Sequence, residues 1–471
     1  MDITSLEPAA VWRNFADICK IPHSSGNEKQ LSCFLAEKLK KAGFSVKQDA
    51  LYNLRAERPD QIPGAPRIIL QGHLDMVPQA APGKEFDFLR DPITPIVEGD
   101  RVRADGTTLG ADDGIGVAIA LALLEDKEVR GNLICLFTVN EEEGLIGASA
   151  LAPEFLDGDY LINLDNGESS QICIGCAGGI RLAFDFETGT AAAPAGEAVE
   201  ITLSGLPGGH SGTCIAEKRG NALQMLARIV RGTGLAISSF DGGTVDNAIP
   251  NAARITGILA DAGEKALLYQ AAKEMKKELD PAFTLRLDIR ETAAPSRVWS
   301  KAFQKLFLDV FSTLPNGVAE FAPAYGVPLT SSNLAVLKSS GNKLHLVISA
   351  RSLDDDKRKI HTDDLQKKLS VLSPEVTVNA AYPGWKPDPE SVLPGMMIRL
   401  RESMTGKKTQ AQVIHAGLET GLFAGKNPRL QMISTSPDDF DIHTFRESVS
   451  ISALQEFYPV IRALLNELAA N

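Results

Sequence analysis

The order of hydrophobic and polar residues predicts alternating strands and helices in the first part of the chain. The runs at 68–70, 133–139 and 160–164 are short, almost wholly apolar and bounded by turn residues. Such runs are typical of strands buried in an open α/β sheet. Segments with apolar residues at helical spacing lie around these runs, at 8–20, 31–39 and 117–124.

The middle of the chain has a different pattern. Residues 198–203 alternate between apolar and polar positions, and further strand-like segments lie near 253–260, 283–289 and 344–350. Helical spacing recurs at 219–231 and 299–312. A strand, a helix and a strand occur in each of two halves, which hints at an internal duplication. This mixture predicts a separate α+β domain.

The turn-rich stretch Tyr382-Pro-Gly-Trp385 marks the return to the first pattern. Beyond it we predict helices near 392–404 and 448–468 and strands at 410–414 and 430–433. The expected fold class is therefore α/β, with a central mixed, mostly parallel sheet. Residues 1–182 and 383–471 form its main domain, and residues 183–382 form an inserted α+β domain.

Composition narrows the class of protein. The chain has 471 residues, of which 44% are hydrophobic and 23% charged, as in soluble globular proteins of two or three domains. Its net charge of −12 argues against nucleic acid or an anionic membrane as the main partner. No run approaches the roughly 18 apolar residues of a membrane span. The acidic start lacks the apolar core of a signal peptide, so we expect a cytoplasmic protein.

The six cysteines do not form a disulfide framework in a chain of this length. Cys173-Ile-Gly-Cys176 has the spacing of a metal knuckle, but no second Cys or His pair follows at matching spacing. We therefore expect both thiols to be small buried residues in a tight, glycine-rich strand and turn.

Acidic residues and a histidine follow the predicted strands. His73 and Asp75 come after the first strand and Glu141 to Glu143 after the second, and Asp165 ends the third. Adjacent aspartates at 112 and 113 open the helix at 117–124. Each cluster alone fits a solvated surface pair or a helix cap. Because ligands bind beyond the carboxyl ends of strands in open α/β sheets, the four clusters together predict a metal site.

These motifs resemble those of a known family. Their order is that of the co-catalytic zinc exopeptidases, and further motifs narrow the resemblance to the bacterial aminoacyl-histidine (Xaa-His) dipeptidases. The similarity spans nearly the whole chain. The matching stretches are Gly72-His-Leu-Asp75, Gly110-Ala-Asp112-Asp-Gly, Glu141-Glu142-x-Gly144, Leu164-Asp165, Pro207-Gly-Gly-His210-Ser-Gly, Asn247-Ala-Ile-Pro250, Tyr382-Pro-Gly-Trp385 and His415-Ala-Gly-Leu-Glu419.

The resemblance implies a site with two zinc ions per chain. One zinc would be held by His73 and Asp165 and the other by Glu142 and His443, with Asp112 between them. Two imidazoles and three carboxylates without a thiolate suit zinc, and manganese or cobalt are plausible substitutes.

The resemblance also implies the catalytic residues. Asp75 would orient His73, and Glu141 would act as the general base. The three consecutive glutamates at 141–143 leave the register open, and we fix it on Gly144, which follows the ligand by two residues in the family.

Four further residues would bind the substrate. His210 resembles the histidine that polarises the scissile carbonyl, and Arg351 resembles the arginine that pairs with the substrate's C-terminal carboxylate. Glu419 is a candidate for the free amino group and Asn247 for the pocket wall. The inserted domain would then be a lid, through which a homodimer is possible.

One motif departs from the family. The final ligand usually precedes a hydroxyl residue, Pro-Asp and Glu, whereas this chain has His443-Thr-Phe445-Arg446-Glu447. The His, the hydroxyl and the distal Glu remain, so we expect metal binding but an altered loop.

The resulting hypothesis is metal-dependent hydrolysis of unblocked dipeptides, including Xaa-His and β-alanyl-histidine (carnosine). Two alternatives remain within hydrolases on the same scaffold: an N-acyl amino acid deacylase and a tripeptidase. A third, from another class, is a non-catalytic relative that binds metal or peptide. The intact ligands and Glu141 argue against that third alternative.

Overall fold

The structure is a computed structural model that describes residues 2–261 and 263–470. These residues form two compact units. Unit 1 comprises residues 2–176, 385–413 and 418–470, and unit 2 comprises residues 177–384 and 414–417. These two units divide at 176/177 and 384/385, whereas the sequence analysis placed the domain boundaries at 182/183 and 382/383. Residues 414–417 belong to unit 2, although the residues on both sides of them belong to unit 1. The predicted boundaries do not include this segment.

Unit 1 is built on an eight-stranded mixed sheet. Its inner strand Arg67–His73 runs parallel to Asn132–Thr138 on one side and to Tyr160–Asn163 on the other. Both faces of these strands are buried, which explains their nearly continuous apolar sequences. In spatial order the strands are Ser45–Gln48, Leu54–Glu57, Asn132–Thr138, Arg67–His73, Tyr160–Asn163, Gln431–Ser434, Gln171–Cys176 and Gln410–Ile414.

Helices complete the core of unit 1. Ala111–Glu125 is apolar on all sides and almost wholly buried, and it packs against Arg67–His73 and Ala9–Cys19. The α-helices are Ala9–Cys19, Lys29–Lys41, Ala111–Glu125, Ile146–Ala150, Leu393–Thr405, Glu419–Lys426 and Ile451–Leu468, and short 3-10 helices lie at Ile3–Ser5 and Pro153–Leu156.

A second, four-stranded sheet of unit 1 anchors the loop that carries His443. Asp439–Phe440 pairs with Ser448–Ser450, which pairs in turn with Arg101–Ala104. Pro95–Glu98 completes this sheet. The loop 441–447 is therefore fixed at both ends by antiparallel strands.

Unit 2 contains a nine-stranded sheet and a separate two-stranded one, Thr190–Ala192 with Arg297–Trp299. Its α-helices are Ala222–Val230, Glu264–Met275, Lys301–Phe311 and Asp355–Leu369, with 3-10 helices at Lys276–Glu278 and Ser370–Leu372. The large sheet has the spatial order Arg286–Glu291, Glu197–Ser204, Ala253–Leu259, Ala236–Gly242, Val327–Ser340, Lys343–Ser352, Gly178–Glu187 and Glu375–Tyr382, and Gly317–Ala322 also pairs with Val327–Ser340.

The large sheet contains the same supersecondary unit twice. Each half contains, in chain order, a strand, a helix, two strands, a helix and a strand, and the first and third of these strands are central. The second half has the additional strand Gly317–Ala322 after its first helix. The first strand of the second copy, Gly178–Glu187, precedes the whole first copy in the sequence. The second strands of the two copies meet where Gly242 pairs with Leu337. The structure thus contains the duplication that the sequence only hinted at.

Several elements of unit 2 were missing from the sequence prediction, among them Val327–Ser340 and Asp355–Leu369. Val327–Ser340 contains four serines and a threonine, which mask its strand character. Asp355–Leu369 is strongly charged and buries only Thr362, Leu365 and Leu369, so its apolar stripe is too narrow to show helical periodicity. Within the described residues, no helix has the length and apolar character that crossing a membrane requires.

Gly243, at the junction between the two copies, packs closely against the backbone of a neighbouring strand. Gly243 has φ +71°, and a Cβ built on it would overlap the carbonyl oxygen of Ala335. Gly232 has φ +89° and no atom within 4 Å of such a Cβ. Gly232→Ala should cost only about 1–2 kcal/mol of left-handed backbone strain. Gly243→Ala should cost about 1–3 kcal/mol more, because the strand has to move.

Urea denaturation followed by circular dichroism compares the two variants. The expected result is a lower unfolding midpoint for Gly243→Ala than for Gly232→Ala. Equal midpoints would mean that the close approach at Gly243 does not constrain the fold.

Candidate metal centre

The three parallel inner strands of unit 1 bring the predicted residues to one edge of the sheet. His73 is the last residue of its strand and lies opposite Thr138 in the neighbouring one. Glu141 and Glu142 follow Thr138 closely, and Asp165 follows the third strand by two residues. This is the arrangement expected from parallel strands whose carboxyl ends share an edge.

Asp112 lies between two imidazoles. Its Oδ1 is 3.1 Å from Nε2 of His73, and its Oδ2 is 3.1 Å from Nε2 of His443. Asp112 and Asp113 open the helix Ala111–Glu125 in non-helical backbone, so the carboxylate of Asp112 is not a simple helix cap. One carboxylate thus contacts two histidines that are 370 positions apart in the numbering, His73 and His443.

The remaining candidate ligands complete the cluster. Oε1 of Glu142 is 2.8 Å from Nε2 of His443, and Oδ2 of Asp165 is 3.9 Å from Nε2 of His73. Ligand atoms of His73, Asp112 and Glu142 all lie within 4.8 Å of one another. The structure therefore brings together all five residues that the resemblance implies as ligands.

Glu447 fixes the turn that presents Asp112. Its side chain is buried, and its two carboxylate oxygens accept hydrogen bonds of 2.7–3.2 Å from four consecutive backbone N–H groups, those of residues 109–112. Sequence analysis noted only that this glutamate is retained in the departing motif. Its position four residues after His443 was the one signal that could have indicated a supporting role.

Asp75 contacts both His73 and the glutamate loop. Nδ1 of His73 is 3.0 Å from the backbone oxygen of Asp75 and 3.4 Å from its Oδ1. The Asp75 carboxylate accepts hydrogen bonds from the backbone N–H groups of Glu141 and Glu142 and from the hydroxyl of Ser25. It therefore positions the predicted base and ligand as well as the histidine. Sequence analysis missed Ser25.

Gly72 and Gly116 leave space for the buried side chain of Asp113. A Cβ built on Gly72 would overlap Oδ2 of Asp113, and one built on Gly116 would overlap its Oδ1. Oδ2 also accepts a hydrogen bond from the backbone N–H of His73. Gly72 and Gly116 are therefore required where a carboxylate packs between a strand and a helix.

The two histidines of the cluster favour a positive charge. Burial lowers the pKa of His443, but hydrogen bonds to Asp112 and Glu142 outweigh it and raise that pKa to about 11. Burial also opposes ionisation of His73, yet its hydrogen bonds to Asp112 and Asp75 raise its pKa well above the usual value. The carboxylates thus stabilise positive charge at both imidazoles.

The carboxylates at this edge repel one another. Burial and the nearby charge of Asp112 raise the pKa of Asp165 to about 8. Burial raises the pKa of Glu141 well above its usual range, and the charges of Asp165 and Glu142 add to that effect. The carboxylates at this edge therefore outnumber the two imidazoles and cannot all ionise without a further positive charge.

The donor set fits divalent metal ions. Oxygen and imidazole ligands without a thiolate suit zinc, and also manganese or cobalt. The carboxylates that raise the pKa values of the imidazoles would equally stabilise a cation held by the same atoms.

Cys173 and Cys176 are fully buried, as expected for structural thiols, and Sγ of Cys173 is 3.2 Å from the backbone oxygen of Gly175.

The departing motif leaves the ligand loop intact. Phe445 and Arg446 are exposed, and the Arg446 guanidinium lies over the Phe445 ring at 5.6 Å. Thr444 accepts a hydrogen bond from the backbone N–H of Arg446. The substitution of Pro-Asp thus changes the outer surface of the loop, while His443 and Glu447 keep the contacts described above.

Glu419 lies beneath the metal-binding edge of unit 1. It is 1% exposed, and its Oε2 accepts hydrogen bonds from the side chains of Gln71 and Thr138. Burial raises its pKa to about 7. Its Oε2 thus supports the strand of His73, whereas its Oε1 is buried and has no hydrogen-bond partner among the described residues.

Two of the predicted substrate residues, His210 and Asn247, lie in adjacent loops of unit 2. The backbone N–H of Ser211 donates a hydrogen bond to the carbonyl of Asn247 at 2.8 Å, which pairs the two loops. The side chain of Asn247 is exposed, and its backbone helps to hold the His210 loop. Nδ1 of His210 accepts a hydrogen bond from the backbone N–H of Thr213 at 3.3 Å. This contact places the proton of a neutral imidazole on Nε2.

Arg351 is the third predicted substrate residue in unit 2. It is 5% exposed, and its Nη1 donates a hydrogen bond to the hydroxyl of Tyr382 at 2.9 Å. Its Nε is buried and has no hydrogen-bond partner among the described residues, and no carboxylate of those residues forms an ion pair with the guanidinium. A buried guanidinium without an acidic partner is costly, so it is a strong candidate to receive an anion.

Comparison with known proteins places these features in a family. A model described as Peptidase family M20/M25/M40 matches residues 69–467. The cytosol non-specific dipeptidase of Escherichia coli (strain K12) is 36% identical over 483 residues, which covers 100% of both chains. Both matches extend through the inserted segment as well as the metal-binding motifs.

Solved structures agree with this result. The crystal structure of the aminoacylhistidine dipeptidase from Vibrio alginolyticus has a TM-score of 0.87 and 36% identity, covering 99% of this chain and 98% of that chain. A tripeptidase from Staphylococcus aureus, 18% identical with a TM-score of 0.58, shares the fold over 99% of this chain and 100% of its own. The predicted fold class and the family resemblance are thereby confirmed. The chain belongs to peptidase family M20/M25/M40.

Proposed function

We propose that this protein hydrolyses the peptide bond of unblocked dipeptides, including Xaa-His and β-alanyl-histidine, at the metal-binding edge of unit 1. The observation that carries this proposal is the Asp112 carboxylate, which contacts His73 through one oxygen and His443 through the other. The names of the two relatives at 36% identity, a non-specific dipeptidase and an aminoacylhistidine dipeptidase, support dipeptides as the substrate class.

The proposed cofactor is a pair of zinc ions, with manganese or cobalt as substitutes. His73 and Asp165 would hold one ion, Glu142 and His443 the other, and Asp112 both. Bound there, the ions would supply Lewis-acid stabilisation of negative charge and activation of water. Asp75 and Glu447 would hold this ligand set in place through the contacts described above.

Glu141 is the proposed proton carrier. Its backbone N–H donates to Asp75, which fixes the residue beside ligand Glu142. It would take a proton from the attacking water and deliver it to the leaving amine. Glu143 is exposed, whereas Glu141 and Glu142 are partly buried, which supports the register anchored on Gly144.

Unit 2 supplies the proposed substrate contacts. With its proton on Nε2, His210 would donate a hydrogen bond to the oxygen of the scissile carbonyl and stabilise the charge that develops there. Arg351 would pair with the C-terminal carboxylate of the dipeptide. Asn247 would line the pocket, and Glu419 would bind the free amino group of the dipeptide.

Location and assembly complete the proposal. A cytoplasmic location agrees with the name of the Escherichia coli relative, a cytosol dipeptidase. A homodimer through unit 2 is part of the proposal, and the large sheet of that unit ends in the strands Arg286–Glu291 and Glu375–Tyr382.

The substrate class is tested by comparing unblocked and blocked substrates. Carnosine and other Xaa-His dipeptides should be cleaved efficiently, because they carry the free amine and the carboxylate. N-acetyl amino acids and tripeptides should be cleaved at least roughly 100-fold less well in kcat/KM, as expected when a charged group of the substrate is unmatched. Ninhydrin or chromatographic detection of released histidine measures this. Activity on N-acetyl amino acids alone would favour a deacylase, and preference for tripeptides would favour a tripeptidase.

The ligand assignment is tested by metal content. His73→Ala should lose one of two bound metals per chain, because it removes a ligand. Asp75→Ala should keep both but bind them roughly 10–100-fold more weakly, as expected for an orienting partner. Elemental analysis after dialysis measures the stoichiometry, with His345→Ala in unit 2 as the control. The assignment is wrong if His73→Ala retains both metals.

The base assignment is tested with three neighbouring glutamates. Glu141→Gln should lower kcat by roughly 100-fold or more while metal content is unchanged, because only the proton carrier is lost. Glu142→Gln should lower metal content, and the exposed Glu143→Gln serves as the matched control. If Glu141→Gln turns over normally, or if only Glu143→Gln loses activity, the assignment of base and ligand among the three glutamates is wrong.

A further inference from the structure

Arg351 is a buried cation that has no acidic partner among the described residues. Another group must therefore orient its guanidinium. Its described side-chain contact is the hydroxyl of Tyr382, which accepts a hydrogen bond from Nη1 at 2.9 Å. A carboxylate in that place would neutralise the guanidinium and compete with an incoming anion. A neutral hydroxyl fixes the direction of the guanidinium and leaves its positive charge available.

The ring of Tyr382 is itself held on two sides by glycines of unit 2. A Cβ built on Gly179 would overlap the ring, and one built on Gly417 would lie 2.6 Å from it. Gly417 belongs to Ile414–Gly417, the short segment that joins unit 2. The backbone N–H of Ala177 donates to the carbonyls of Ile414 and Ala416 at 3.1 Å, which anchors this segment. The segment therefore forms one wall of the Tyr382 position.

The same segment places a neutral side chain near Arg351. His415 is 3% exposed, and its Nε2 is 2.7 Å from the hydroxyl of Ser331. Burial lowers the pKa of His415 to about 4, and the charge of Arg351 adds to that effect. His415 is therefore uncharged at neutral pH. Like Tyr382, it packs near Arg351 without changing the net charge there.

We propose that Tyr382, held by Gly179 and Gly417, is a positioning residue that sets the orientation of Arg351 for the C-terminal carboxylate of the substrate. This inference rests on the proposed function, since it takes Arg351 as the carboxylate-binding residue. Tyr382 acts only through Arg351 and is not a catalytic residue. Its contribution therefore belongs to substrate binding and not to the chemical step.

The test is steady-state kinetics of the metal-loaded full chain with carnosine. Tyr382→Phe keeps the ring but removes the acceptor, so KM should rise roughly tenfold with kcat within about twofold of the unmodified protein. Gly417→Ala, which displaces the ring, should give the same rise in KM. Tyr325→Phe removes a hydroxyl from an exposed tyrosine of the same unit and should change neither constant.

A double-mutant cycle separates this inference from the proposed function. Arg351→Gln alone should raise KM by more than Tyr382→Phe does, and adding Tyr382→Phe to Arg351→Gln should have no further effect. If Arg351→Gln raises KM but Tyr382→Phe does not, the positioning role is wrong and the carboxylate contact stands. If Arg351→Gln leaves KM unchanged, the carboxylate contact itself is wrong.

A purely structural effect of Tyr382 would have a different signature. Thermal unfolding of each variant should show a midpoint within a few degrees of the unmodified protein. A fall in kcat equal to the rise in KM, or equal effects of Tyr382→Phe with and without Arg351, would overturn the positioning role. Rescue of KM by a second acceptor, in Tyr382→His but not in Tyr382→Leu, would support it.

Discussion

The central constraint in unit 1 is the sharing of one carboxylate by two imidazoles. Asp112 contacts His73 and His443 at equal distances of 3.1 Å, among further carboxylates that raise one another's pKa values. Such a concentration of carboxylates is stabilised either by protons, which is why these pKa values rise, or by bound cations. The surrounding structure keeps Asp112 in place, most directly through Glu447, which accepts hydrogen bonds from four backbone N–H groups of the turn that carries it.

In unit 2 the buried charge without a described acidic partner is positive. Arg351 is buried without an acidic partner among the described residues, and the groups described around it, Tyr382 and His415, are neutral. Each unit thus holds a charge that its own side chains leave uncompensated. The carboxylates of unit 1 are the proposed ligands of metal ions, and the buried guanidinium of unit 2 is the proposed partner of a substrate carboxylate. A dipeptidase requires both features, because it must activate water and also recognise the end of a very short substrate.

Sequence reasoning predicted the features that depend on local pattern. Apolar runs located the inner strands, and the residues after them are the proposed ligands, which the structure brings together because parallel strands end at a common edge. It could not identify contacts between distant residues, such as Glu447 with the turn at 109–112 or Gly72 with Asp113. It also missed Val327–Ser340 and the crossing of Ile414–Gly417 into unit 2, since serine-rich strands and short excursions leave no periodic signal.

The proposed role of Asp112 is that of a ligand shared by two metal ions. Anomalous diffraction at the zinc absorption edge, from crystals grown with zinc, tests this in one measurement. Two peaks per chain are expected. One should lie among His73, Asp112 and Asp165, and the other among Asp112, Glu142 and His443. A single peak, or two peaks that do not share Asp112, would contradict it.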